Sequence, residues 1–120
     1  MRYLIVLLGI LICGGATAAH ALSADTVAQR CKALKVEKPS EADLGKASFC
    51  LGYMMGAVEI QAYLHQKGIG SQVDVCIPDS IDGKEMALVF LKYLDDYPEE
   101  LQVNAAIVVH AAIARTYCKP

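Results

Sequence analysis

The chain has no cluster of basic residues, no C-x-x-C pair, three histidines and no apolar run long enough to span a bilayer. Each absence removes a class of function. Without a Lys/Arg patch there is no electrostatic footprint for nucleic acid or for an anionic membrane surface. Cysteines isolated from one another lack the pairing of most structural zinc sites, so neither a metal nor another cofactor is expected. The longest apolar run, Tyr3 to Ile12, is about half of the ~20 residues a transmembrane helix requires.

What is present sets the compartment. Arg2, the apolar run and the small-residue stretch Gly14 to Ala21 have the three-part layout of a secretory signal. Cleavage after Ala18 or after Ala21 satisfies the small-x-small rule. The second is preferred, which makes residues 1–21 the signal peptide, residues 22–120 the mature domain and the periplasm the destination. Cys13 is discarded with the signal, leaving Cys31, Cys50, Cys76 and Cys118, an even set that implies two disulfides in an oxidising compartment. A 99-residue domain with ten basic and thirteen acidic residues buries only about 60 to 65% of its unfolded surface, so its core alone is marginal. The staples matter accordingly.

Helical signals dominate the mature stretch, and the fold expected is all-α, a small disulfide-stapled bundle of about four helices. Ser23 caps a short helix with Val27, Cys31 and Leu34 on one face, ending near Lys35 to Pro39. Ser40, with Asp43 three residues on, forms a capping box and opens the main helix, which runs to Lys67 and stops at Gly68 and Gly70. At about 100° per residue its core stripe reads as Leu44, Leu51, Met55, Val58 and Ala62. A different face carries Gly45, Ser48, Gly52 and Gly56, extended by Glu59, where another backbone can approach closely. Each glycine costs about 1 kcal/mol inside a helix, so contact should offset it. Residues 68–80 form a loop tied down by Cys76. Asp82 and Glu85 form a second capping box for a helix through Met86, Phe90, Tyr93 and Leu94, ending before Pro98.

A last helix is expected from about Pro98 to Thr116. It is apolar nearly all round, which predicts burial on every side and, in so small a domain, a homodimer to supply the cover. Antiparallel hairpins bring Cys31 near Cys50 and Cys76 near Cys118, one of the three pairings that four cysteines allow.

A thiol enzyme would need a free cysteine beside His65 or His110, and disulfide pairing removes the thiols, so no catalytic residues are assigned. Two surfaces are candidates for a partner. The corner Asp95-Asp96-Tyr97-Pro98-Glu99-Glu100 is either an exposed charged turn or an acidic knob with a tyrosine anchor. The loop with Gln72, Asp74 and Asp79 is either a connector or a pre-stiffened inhibitory segment. Glu59 is either a solvated glutamate or a carboxylate at a helix or subunit contact, beside Gly52, Tyr53 and Gly56.

The run Phe49-Cys50-Leu51-Gly52-Tyr53-Met54-Met55-Gly56, then Cys76-Ile77-Pro78, Tyr93-Leu94 with Pro98-Glu99, and Cys118, resembles the type VI secretion amidase immunity (Tai, or Rap) proteins in order and spacing. The likeness covers about residues 23 to 118. Glu59 stands where that family often has Asp, and Tyr97 where His often precedes the proline. The resemblance implies a periplasmic, all-helical, disulfide-containing dimer that blocks a peptidoglycan-cleaving cysteine amidase delivered by neighbouring cells. Alternatives are a periplasmic acid-stress chaperone using the apolar last helix as client surface, or a structural envelope protein without a toxin partner.

Overall fold

The computed structural model describes residues 20–69, 76, 78 and 80–118. All but the last two residues of the expected signal peptide lie outside the described residues. Four α-helices and two 3₁₀ turns make up the fold: α1 (Ala24–Cys31), a turn over Lys32–Lys35, α2 (Glu41–Gln66), α3 (Gly83–Asp96), a turn over Pro98–Gln102, and α4 (Ala105–Tyr117). Cys31 is bonded to Cys50 and Cys76 to Cys118, each pair with Cα atoms 5.0 Å apart, as the hairpin geometry predicts.

The helix ends follow the sequence signals. Ser23 Oγ accepts from the Thr26 N–H at 3.2 Å. At the start of α2 the box closes in both directions: Ser40 Oγ accepts from the Asp43 N–H at 3.2 Å, and Asp43 Oδ2 accepts from the Ser40 N–H at 3.0 Å. The Ser40 N–H, and the Ser40 hydroxyl at 2.8 Å, both donate to the Asp43 carboxylate and hold it below its ordinary pKa. Gly68, at φ 65°, ends α2 in the left-handed conformation that glycine adopts without penalty. There the Ile69 N–H reaches the Leu64 carbonyl and the Gly68 N–H the His65 carbonyl, both at 3.0 Å, which satisfies two otherwise orphaned acceptors.

Three expectations need correction. The buried stripe of α2 is Cys50, Met54 and Val58, rotated by roughly 70° from the predicted one at about 100° per residue. Leu44 is 54% exposed and Ala62 is exposed, while Leu51 and Met55 are half-buried over Gly83 at the start of α3. The disulfide explains the rotation, because it turns Cys50 toward α1. Arg30 reinforces the same contact, its guanidinium carbon 4.2 Å from the Phe49 ring centroid.

The second capping box is only half made. Asp82 Oδ1 accepts from the Glu85 N–H at 2.7 Å, but the Glu85 carboxylate is turned to the Tyr117 hydroxyl, which donates to it at 2.9 Å. Glu85 thereby ties the start of α3 to the end of α4.

The last helix does not run from Pro98. It starts at Ala105, where the Asn104 side chain accepts from the Ala106 N–H at 2.9 Å. The preceding backbone is taken by the N-terminal segment: the Ala24 N–H donates to the Val103 carbonyl and the Ala105 N–H to the Leu22 carbonyl, both at 2.8 Å. Groups committed to that pairing cannot also make helical bonds, so the chain bends. Nor is α4 buried on every side. Ala105, Val108, Val109, Ala112 and Ile113 enter the core with Phe90, Met86 and Val27, whereas Ile107 is 60% exposed.

Candidate functional site

The structure brings the corner residues together but gives them different partners. Lys92 Nζ pairs with Asp96 at 3.2 Å, an exposed i, i+4 contact that contributes little stability. The Tyr93 hydroxyl donates to Glu100 Oε1 at 3.1 Å. Tyr97 is half-buried: its ring packs 4.7 Å from that of Tyr93 between centroids, and the Arg115 guanidinium carbon lies 4.8 Å from its centroid. Tyr97 is therefore a packing platform rather than a projecting anchor. Asp95, Asp96 and Glu99 are exposed and Glu100 is half-buried; of the exposed three, Asp96 is the one paired with Lys92.

Clefts flank the corner on two sides. One, between α3 and α4, is lined by Val89, Lys92, Tyr93, Asp96, Arg115 and Thr116. The other, between α1 and α3, has a floor of Leu91, Leu94 and Leu101 with Asp25, Lys32 and Asp95 at its rim. Arg115 was not legible as a site residue, since nothing in local spacing connects it to Tyr97; the Lys92–Asp96 spacing is the one local signal for this region.

Gln72, Asp74 and Asp79 of the loop lie outside the described residues. Its two ends are fixed, by the glycine cap of α2 on one side and by the Cys76–Cys118 bond and the start of α3 on the other.

The glycine face of α2 stands open. A Cβ built at Gly45, Gly52 or Gly56 would meet nothing within 4 Å, so no described part of the same chain closes on it, and Glu59 beside it is exposed. An apolar groove runs along this face between Gly52, Tyr53, Gly56, Ala57, Ile60 and Ala106 of α4. Ile60 in that lining is 52% exposed.

Burial pushes the Tyr53 hydroxyl above its ordinary pKa, partly opposed by the Ala106 N–H. Burial also raises Tyr93 and Tyr117, where hydrogen bonds to Glu100 and Glu85 add to the effect. A phenol whose pKa is higher folded than unfolded supports the fold below the unfolded value of 10.0 and loses that support as pH rises through the folded value. The melting temperature is expected to be flat from pH 7 to 9 and to fall above pH 10. Tyrosinate absorbance at 295 nm, followed with circular dichroism, should show that part of the tyrosine signal appears only as the fold is lost. Simple titration of every tyrosine at the free value with no change in melting would contradict this.

Cys31, Cys50, Cys76 and Cys118 are disulfide-bonded, so none of these four offers a thiolate nucleophile. His65 is exposed; the ring nitrogens of His110 are buried and make no hydrogen bond. Among the described residues no group of three or more His, Cys, Asp and Glu could hold a metal ion, and no helix is long and apolar enough to cross a membrane.

Residues 23–118 match the family model described as Rap1a immunity proteins. No curated protein and no solved structure matches the chain.

Proposed function

The chain belongs to the Rap1a immunity protein family, and from that premise we propose that it binds and blocks a peptidoglycan amidase delivered by a type VI secretion system. The observation that carries this reading is the family match, which spans the whole stapled helical domain from the cap of α1 to the last disulfide cysteine. Inhibition of this kind proceeds by covering a catalytic cleft, which asks for a rigid, exposed surface rather than reacting groups. The corner between α3 and α4 and the loop tethered by Cys76 are such surfaces. Two disulfides favour an oxidising compartment, in keeping with a periplasmic site of action after removal of residues 1–21.

The direct experiment titrates the oxidised 22–120 domain into cell-wall amidases of the type VI secretion class, beginning with any that a neighbouring gene encodes. Activity is expected to fall in proportion to added protein and to vanish near equimolar amounts. Retention of full activity by every such enzyme in molar excess of the domain would remove the reading.

The protein also acts as a homodimer in this proposal, through the open face of α2. Isolated exposed apolar residues are ordinary, but here the exposed Ile60 lines a groove whose other walls, Gly52, Tyr53, Gly56, Ala57 and Ala106, carry no charge. Three helix-interior glycines on that face cost about 2 to 3 kcal/mol that no contact among the described residues offsets, whereas a second copy laid against them would.

A further inference from the structure

We propose that the cleft between α3 and α4 receives an acidic side chain of the partner toxin, with Arg115 as the residue that binds its carboxylate; this rests on the immunity reading above. The corner reads as purely acidic in sequence, yet folding sets a cation beside it. Arg115 sits in the last turn of α4, 18 positions from Tyr97, and its guanidinium is held over the Tyr97 ring. That ring packs against Tyr93, whose hydroxyl is in turn fixed on Glu100. A guanidinium held over a ring still has N–H donors to offer, and the contact restricts the side chain before any partner arrives, so less entropy is lost on binding.

Among the described residues, charge pairing leaves Arg115 unused. The ion pair among the described residues is Lys92 with Asp96, so Arg115 pairs with no described carboxylate. The Lys92 and Asp96 charges offset each other on the cleft wall, and the remaining charge is the single positive one of Arg115. Val89 gives the same wall an apolar patch suited to the methylenes of a glutamate. The cleft volume, about 280 Å³, lies below the roughly 300–1,000 Å³ of small-molecule sites, which suits one inserted side chain. A positive cleft next to the exposed Asp95 and Glu99 fixes the orientation of a partner that carries the reverse pattern, since a rotated complex would oppose like charges.

The test measures the dissociation constant of the oxidised domain for the neighbouring-gene amidase by calorimetry at 50 and 300 mM NaCl. Arg115→Gln is expected to weaken binding by about tenfold or more at low salt and to flatten the salt dependence. Arg115→Lys keeps the charge without the planar fork and is expected to fall between the two. Tyr97→Phe keeps the ring under the guanidinium and should bind within about twofold of wild type. Melting of each variant separates a binding loss from a folding loss; if Arg115→Gln is unstable, a natively melting Arg115→Lys decides the matter. Wild-type affinity and salt slope in a natively folded Arg115 variant overturn the assignment while leaving the immunity reading intact. Failure of the wild type itself to bind the amidase overturns both.

Discussion

A Cys31→Ala, Cys50→Ala double variant is expected to melt on the order of 15 °C below the wild type, because about 3 kcal/mol of constraint is lost and each kcal/mol shifts a domain of this size by about 4–8 °C. Both cysteines are fully buried, and the bond closes a span of 19 residues between α1 and α2. Removal of both sulfur atoms also leaves a void beside Val27 and Met54, which are themselves fully buried, and voids in a close-packed core add to the loss. Against a total of about 5–15 kcal/mol for a domain, this is a large share. The second disulfide behaves differently in its access to solvent: Cys76 is exposed and Cys118 half-buried. Mild reductant with alkylation and mass spectrometry should therefore label Cys76 and Cys118 in the folded protein, and Cys31 and Cys50 only after unfolding. A double variant that melts within about 5 °C of wild type would show that α1 is held by packing alone.

Gly56→Arg is expected to raise the dimer dissociation constant about 100-fold, corresponding to about 3 kcal/mol of clash and buried unpaired charge at the proposed self-contact. The sign of a second effect makes the experiment decisive. None of the described residues lies within 4 Å of a Cβ at Gly52 or Gly56, so Gly56→Ala should stabilise the isolated protomer by about 0.5 to 1 kcal/mol through helix propensity. A close subunit contact reverses that sign at concentrations where the dimer forms, because the added methyl separates the two backbones. Sedimentation velocity combined with melts at low and high protein concentration reads both quantities. Gly56→Ala that stabilises at every concentration, with sedimentation as a monomer at micromolar concentration, would remove the dimer from the proposal.

Local chemistry made several features legible in advance. Ser23, Ser40 and Asp82 each cap the helix they were expected to cap, since an N-cap needs only a short polar side chain three residues before a waiting N–H. Gly68 ends α2 for an equally local reason. The pairing of the cysteines was legible too, although it is a tertiary property, because short hairpins restrict which residues return alongside each other. Asn104 was missed although it is a good N-cap residue; the apolar run that follows it extends without interruption in periodicity, and Pro98 offered an earlier start. Of the candidate contact residues, sequence picked out the acidic corner from its charge density but could not separate Asp96 and Glu100, which have partners, from Asp95 and Glu99, which face solvent.

What the sequence determined by itself was therefore the number of helices, the caps of the first three, the staples and membership of an immunity-protein family, all of which follow from short-range hydrogen bonding, hairpin geometry or motif order. Which face of each helix is buried was decided only in three dimensions. The main helix is apolar over a wide arc, so periodicity could not choose between Leu44–Ala62 and Cys50–Val58; the bond to Cys31 and the packing of α1 made that choice. The break before α4 was set by residues 22–24, some eighty positions away, which take the hydrogen bonds a longer helix would need. The meeting of Arg115 with Tyr97 likewise depends on the antiparallel return of α4 along α3, and no spacing within either segment encodes it.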